Sequence, residues 1–337
     1  VLSGKEVPVT VLALQQADEE ALRGCLEGAF PELFGGSAAV VSRSRSEVPT
    51  SYDAYVVTVR LASGGELKIF LKDFGFSRLP KEGLEQRRER ELRVYRDLLA
   101  DAELGTARYY GSVWDSSEGR FWLLLEFVDG LLLRDCELDY WVEAAGWLGR
   151  VQGSFDRHPD RLARCDFLPR HDAGFFQAKA DLALRAVSQT SASLAARLGE
   201  VVSRYDRLVA VMVSQPSTLV HGSYRRENIL VDGRAQPPRV CPIDWELAAI
   251  GARLYDLAFI SDGFKPPELD RLWGAYREQA GIWDLPVPDR EEMRYVVDCF
   301  RLHKVLKSLS ESWKKRFPAA TVAKLVEMAE GLGRLLL

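Results

Sequence analysis

Three methionines, four histidines and five cysteines in 337 residues leave little material for several common kinds of site. The cysteines, at 25, 136, 165, 241 and 299, are odd in number and never form a CxxC pair. That excludes a closely spaced zinc or redox motif and leaves reduced, mostly structural thiols. His158, His171 and His303 show no metal-ligand spacing. No apolar run approaches the roughly 20 residues that span a bilayer. Neither sign of charge dominates: 45 Lys and Arg stand against 49 Asp and Glu, for a net charge of −4. Neither a nucleic-acid groove nor an anionic membrane surface is indicated as a partner. Val1-Leu-Ser-Gly-Lys5 lacks the charged and apolar blocks of a signal peptide, so the expected location is cytoplasmic. Repeats and low-complexity tracts are lacking too.

What the chain does have is material for a core. It is 47% hydrophobic and 28% charged, and long enough for two lobes. Val7, Val9 and Val11 predict a first strand over 6–14, and Asp18-Glu19-Glu20 opens a helix carrying Leu22, Cys25, Leu26 and Phe30. Strands follow over 38–48, 54–61 and 66–74, the last two joined by the turn 62–65. A charged helix over 81–99 precedes a strand pair at 109–114 and 121–128. From residue 131 the pattern turns helical, with helices expected over 140–155, 174–188, 191–213, 267–280, 289–312 and 319–336. The fold class is therefore α+β, an antiparallel β lobe with one inserted helix followed by a mainly helical lobe.

The most informative stretch is Leu219-Val-His-Gly-Ser-Tyr-Arg-Arg-Glu-Asn-Ile-Leu-Val-Asp232, read with Cys241-Pro-Ile-Asp-Trp-Glu246. Asn228 and Asp244 are oxygen donors of the hard kind that Mg²⁺ prefers. They are separated by Asp232-Gly233, a hairpin-turn signal. A hairpin there returns a loop asparagine and a strand-end aspartate to the same edge.

This stretch resembles the catalytic loop and metal motif of the aminoglycoside phosphotransferase and choline kinase-like family, which shares the protein-kinase fold. His221, Gly222, Asn228, Ile243, Asp244, Trp245 and Glu246 match the family pattern. Ser223 stands where the family has its catalytic aspartate. The resemblance implies a two-lobed protein-kinase-like fold, with a nucleotide-binding lobe over 1–128 (including an extension, 1–36) and a helical lobe over 129–337. It implies ATP or another NTP and Mg²⁺ as cofactors, with Asn228 and Asp244 as metal ligands.

Other roles carry over by position. Lys72, closing the run Ile69-Phe70-Leu71, is expected on the α- and β-phosphates, with Lys68 on the same face as its rival. Glu91, in Glu91-Leu-Arg-Val-Tyr95, is its expected partner in preference to Glu89. Backbone groups near Glu126 and Val128 are expected at the adenine edge. Arg225, two residues beyond Ser223, is placed on the transferring phosphate. The segment expected over the phosphates, 42–52, contains no glycine, and Ser46, Thr50, Ser51, Arg43 and Arg45 are its candidates. Asp256 reads as an anchor for the catalytic loop.

Serine can orient a hydroxyl but cannot act as a base near neutral pH, and loss of a general base costs about 10²–10⁴-fold. Glu227 and Glu246 are possible substitutes. A Ser223–His221 nucleophile is also conceivable, although the Gly-x-Ser-x-Gly elbow is absent. The leading expectation is a phosphotransferase acting on a hydroxyl of a small molecule, impaired or atypical at Ser223. The alternative is a pseudokinase-like nucleotide- or ligand-binding module.

Overall fold

The computed structural model describes residues 9–29, 39–46, 51–61, 64–100 and 104–337. It divides into two compact units, Val1–Asp129 and Gly130–Leu337.

The first unit opens with helix α1, Val9–Ala29, followed by β1 (Ala39–Arg45), β2 (Tyr52–Arg60) and β3 (Glu66–Ser77). Helix α2 (Leu84–Arg93), prolonged by a π turn at Val94–Leu98, leads to β4 (Tyr109–Asp115) and β5 (Arg120–Glu126). The five strands form one antiparallel sheet in the order β1-β2-β3-β5-β4. Side chains alternate across a strand, so β3 serves both faces. Ile69 and Leu71 join Val57, Val59, Trp122 and Leu124 in a core that also takes Leu22 and Leu26 of α1. Lys72 belongs to the opposite set.

The expected strand over 6–14 is not formed: from Val9 the chain is already helical. Alternating valines favour a strand only where a sheet receives them. Here the stretch extends a helix that is already nucleated, and adding residues to a helix is easier than starting one. Phe30, Thr50 and the turn residues Ala62 and Ser63 lie outside the described residues.

The second unit begins with the short strand β6 (Leu131–Leu132) and the long helix α3 (Leu138–Asp156). Helices α4 (Pro159–Ala163), α5 (Ala173–Ser188), α6 (Ala192–Val202) and α7 (Tyr205–Ser214) follow. The helix expected over 191–213 is thus two helices. Ser203 ends the first, its hydroxyl donating to the Glu200 carbonyl at 3.0 Å, a local bond that competes with helix continuation. Strands β7 (Ser217–Val220), β8 (Ile229–Asp232), β9 (Arg239–Pro242) and β10 (Ala249–Ala252) come next. Helices α8 (Leu254–Ile260), α9 (Glu268–Ile282), α10 (Arg290–Ser310) and α11 (Ala319–Leu336) complete the unit.

Two small ladders, β10-β7 and β6-β8-β9, carry the loops that matter. Helix α3 supports them from below. A Cβ on its Gly149 would meet the Tyr276 carbonyl and the Ala280 amide of α9 at 2.8 Å each, so glycine permits this close approach. Gln152, one turn earlier than Asp156, is buried and bonded through both its nitrogen and its oxygen. It donates to the Arg253 carbonyl and accepts from the Tyr276 hydroxyl, both at 2.9 Å. That bridge fixes α3, α9 and the start of α8 together.

Candidate functional site

In the first unit, Lys72 is buried and its Nζ lies 2.8 Å from both carboxylate oxygens of Glu91. The rings of Tyr52 and Phe74 stand 5.2 and 5.3 Å from the same ammonium. Lys68, the rival on the same strand face, is exposed, with its ammonium 5.6 Å from the Phe127 ring. Helix α2 makes the difference, because it covers the Lys72 end of β3 and delivers Glu91. Glu89 instead sits 3.7 Å from Arg93, largely in solvent. Removing either partner of a buried pair leaves an uncompensated charge, so the pair holds only as a pair.

Glu126 closes β5. Its carboxylate accepts from the Arg108 amide at 3.1 Å and its own amide donates to the Arg108 carbonyl at 2.8 Å. Val128 is buried and, among the described residues, makes no backbone hydrogen bond. Of the glycine-free segment, the Ser46 amide donates to Ala54, and Ser51 offers its carbonyl to Arg78. Arg45 pairs with Asp53 at 2.7 Å, and Arg43 lies over the Tyr55 ring at 4.0 Å. Thr50 lies outside the described residues.

In the second unit the loop between β7 and β8 holds His221, Gly222, Ser223, Arg225 and Asn228. Gly222 has φ +76°, and a Cβ there would lie 2.1 Å from the Leu247 carbonyl oxygen, so glycine is required on both counts. Asp256, on α8, grips this turn: its carboxylate accepts from the His221 amide at 2.6 Å and the Gly222 amide at 3.1 Å. Burial, outweighing those two donors and nearby Lys307, pushes the Asp256 carboxyl up to about 7. The aspartate is an anchor, as its place after the metal motif implied.

His221 is buried and uses both ring nitrogens. Nε2 donates to the Ile243 carbonyl at 2.9 Å, and Nδ1 accepts from the Ser223 amide at 3.3 Å. The imidazole therefore grips the backbone of Ser223 and leaves its hydroxyl alone, which removes the Ser–His nucleophile. Ser223 Oγ instead accepts from Asn228 Nδ2 at 3.2 Å, and the same nitrogen reaches the Ser223 carbonyl at 3.1 Å. With its nitrogen engaged twice, buried Asn228 has its amide oxygen left for a cation.

The hairpin does what its turn signal implied. Ile229 pairs with Pro242 across β8 and β9, and the Ile243 amide donates to the Asn228 carbonyl at 2.9 Å. Asp244 is the next residue, half-buried, with φ 66° and ψ 59°. Aspartate is one of the few residues that enter this left-handed region, at a cost of about 1–2 kcal/mol, and such backbone strain gathers at functional sites. A carboxylate oxygen of buried Glu246 lies within 4.8 Å of one from Asp244. Asn228, Asp244 and Glu246 thus supply oxygen donors suited to Mg²⁺. Glu227 pairs with the adjacent Arg226 at 3.0 Å.

Three features escape a reading of the sequence. Tyr224 stacks on Trp147 with ring centroids 5.7 Å apart and donates to the Ala144 carbonyl at 2.8 Å, pinning the loop to α3. Lys307 of α10 donates to the Gly222 carbonyl at 3.1 Å. Lys179 of α5 is within electrostatic reach of Lys307. A lysine on an amphipathic helix ordinarily marks the solvent face, so no local pattern separates these two from their neighbours.

The buried histidines tie stability to pH. Burial chiefly pushes His221 from its ordinary 6.5 down to about 4 and holds His303 well below its ordinary value. On acidification below 6.5 the unfolded chain takes protons that the folded chain refuses, so this stability is present above 6.5 and lost below it. Asp256, raised to about 7, acts in the opposite sense over the range above its ordinary 3.8. His303→Phe should therefore make the decline of unfolding free energy between pH 6 and 5 shallower by about 1.4 kcal/mol per pH unit. Urea titrations at several pH values measure this slope, and an unchanged slope contradicts a neutral buried His303.

An antiparallel sheet with an inserted helix, followed by a helical unit with this loop and hairpin, is the protein-kinase-like α+β fold. Residues 49–296 match the phosphotransferase enzyme family, and the chain belongs to that family. The expectation of a phosphotransferase stands with this membership. No curated protein sequence matches the chain. Solved structures share the fold at low identity. The microcompartment-associated aminopropanol kinase is 19% identical with a TM-score of 0.57, over 96% of each chain. Macrolide 2′-phosphotransferase MphH from Brachybacterium faecium is 17% identical with a TM-score of 0.55, over 94% of this chain and 97% of its own. The GDP complex of aminoglycoside 2′-phosphotransferase-IIIa is 14% identical with a TM-score of 0.60, over 94% and 98%. No helix among the described residues is long and apolar enough to cross a membrane.

Proposed function

We propose that this protein is an ATP- and Mg²⁺-dependent phosphotransferase that moves a phosphoryl group to a hydroxyl of a small molecule. The observation that carries the reading is the paired edge of the β8–β9 hairpin, where Asn228 and strained Asp244 sit side by side next to Ser223. Catalysis of this transfer is mostly positioning and charge neutralisation, which suits a site without a strong base. Lys72, held by Glu91, is assigned to the nucleotide's phosphates, and Glu126 and Val128 to its base. Asn228 and Asp244 are the metal ligands, with Glu246 beside them. Mg²⁺, when bound, supplies charge neutralisation at the phosphate oxygens. Arg225 adds a cation on the transferring group, and Ser223 orients the acceptor hydroxyl. The GDP complex of one structural relative and the small-molecule acceptors named for others support a nucleotide and a small substrate here.

One observation favours a second reading. Ser223 stands where the resemblance places a catalytic carboxylate, and a site built only to bind nucleotide has no need of that group. The first test is a thermal-shift titration with ATP, with and without Mg²⁺. The proposal expects a Mg²⁺-dependent rise in the midpoint, lost in Lys72→Ala. No shift at millimolar Mg·ATP overturns nucleotide binding and both readings with it.

A further inference from the structure

The loop that carries Ser223 is bordered on its helical side by cations that form no hydrogen-bonded ion pair, although Glu311 is within electrostatic reach of Lys307. Lys307 lies half-buried, donates only to the Gly222 carbonyl, and rests 5.3 Å from the Phe259 ring. Arg225 is exposed two residues beyond Ser223. Lys179 stands one turn beyond Phe175 on α5, the helix whose Phe175 and Phe176 pack against His303 of α10. Among the described residues, neither the Lys179 ammonium nor the Arg225 guanidinium makes a hydrogen bond or an ion pair.

The carboxylates nearby are already committed. Asp256 accepts two backbone amides, and Glu311 is held by Lys315 at 2.5 Å. Lys304, beside Phe259 as well, is matched by Asp262 at 2.7 Å. Lys307 therefore borders Gly222 with Lys179 within electrostatic reach of it, and neither is neutralised by a bonded carboxylate, while Arg225 is assigned to the transferring phosphate. Burial brings the Lys307 ammonium down to about 8, and Lys179 and Arg225 push the same way against the opposing pull of Glu311 and Asp256. Clustering like charges costs stability unless something anionic arrives.

Position 223 adds an independent observation. A carboxylate there would face any anion arriving at the loop, and serine removes that repulsion. Resting on the phosphotransferase reading above, we infer that the acceptor is itself an anion: a hydroxyl compound carrying a carboxylate or a phosphate, seated by Lys179 and Lys307. A polycationic acceptor would meet Lys179 and Lys307 unfavourably.

Matched pairs of acceptors test this. Glycerate against glycerol and ribose 5-phosphate against ribose each differ by one anionic group, and kanamycin supplies the polycation. ATP consumption is measured with each, on the parent and on Lys179→Met. A charge-assisted hydrogen bond contributes about 1.5–3 kcal/mol, so the anionic member of at least one pair should exceed its neutral partner by roughly 10–100-fold in kcat/KM. Glycerate and ribose 5-phosphate separate carboxylate from phosphate as the group recognised. In Lys179→Met the acceptor KM should rise by a similar factor while the KM for ATP stays unchanged.

If no acceptor is consumed although Mg·ATP binds, the phosphotransfer reading fails by itself. The anionic compounds must then still raise the melting midpoint of the Mg·ATP-bound parent, and not that of Lys179→Met. Equal or better use of glycerol, ribose or kanamycin overturns the inference. So does a rise in the KM for ATP in Lys179→Met, which would assign the cations to the nucleotide, and so does a failure of every anion to bind.

Discussion

Asp244→Ala should lower the rate of phosphoryl transfer by roughly 10³-fold or more. A bound cation lowers such a barrier by several kcal/mol, and each ~1.4 kcal/mol is a factor of ten. The substitution does two things at once, because Asp244 has φ 66° and alanine tolerates that backbone less well than aspartate. Asp244→Asn separates them. Asparagine enters the left-handed region as readily as aspartate, keeps the shape and removes the charge. Both variants should lose Mg²⁺-dependent stabilisation by ATP, and only the alanine variant should also melt appreciably lower in the absence of ligand. An asparagine variant as active as the parent would remove Asp244 from the metal assignment.

Ser223→Asp should move the rate the other way. A restored general base is worth about 10²–10⁴-fold, and the surroundings are ready for a carboxylate. Asn228 Nδ2 already donates to the Ser223 hydroxyl at 3.2 Å and would donate to a carboxylate oxygen in its place. Lys307, bound to the neighbouring Gly222 carbonyl, and Arg225 provide nearby positive charge. Nucleotide affinity should change little, since the proposal assigns this position to the acceptor. For an anionic acceptor the same carboxylate adds repulsion, so the acceptor KM should rise while kcat rises. A variant that binds ATP yet turns over no faster than the parent would favour the binding-module reading.

Much of this arrangement was legible because the informative residues are close in sequence. The residues assigned to the loop and the metal fall within 26 positions, His221 to Glu246, and the hairpin brings the Asn228 backbone beside that of Ile243, next to Asp244. The sheet was legible for the same reason: its strands alternate and are joined in sequence order apart from the last pair. Lys72 and Lys68 mark the limit. Four residues apart, they share a strand face, and only the position of α2 buries one against Glu91 and leaves the other in water. Long-range burial likewise hid Lys307, whose partner is a backbone carbonyl 85 residues away. The two errors of secondary structure have local causes. Valines at alternate positions suggested a strand where a helix runs, and apolar spacing carried a predicted helix through the break at Ser203.

The most direct test of the account follows the phosphorus atoms. Phosphorus NMR of the parent with Mg·ATP and each acceptor should show the γ-phosphate signal giving way to ADP and a new phosphate-ester signal. Asp244→Asn should show almost none of that conversion over the same time. ATP that remains intact in the presence of every acceptor, while the protein demonstrably binds it, would contradict the phosphotransferase and leave a nucleotide-binding module.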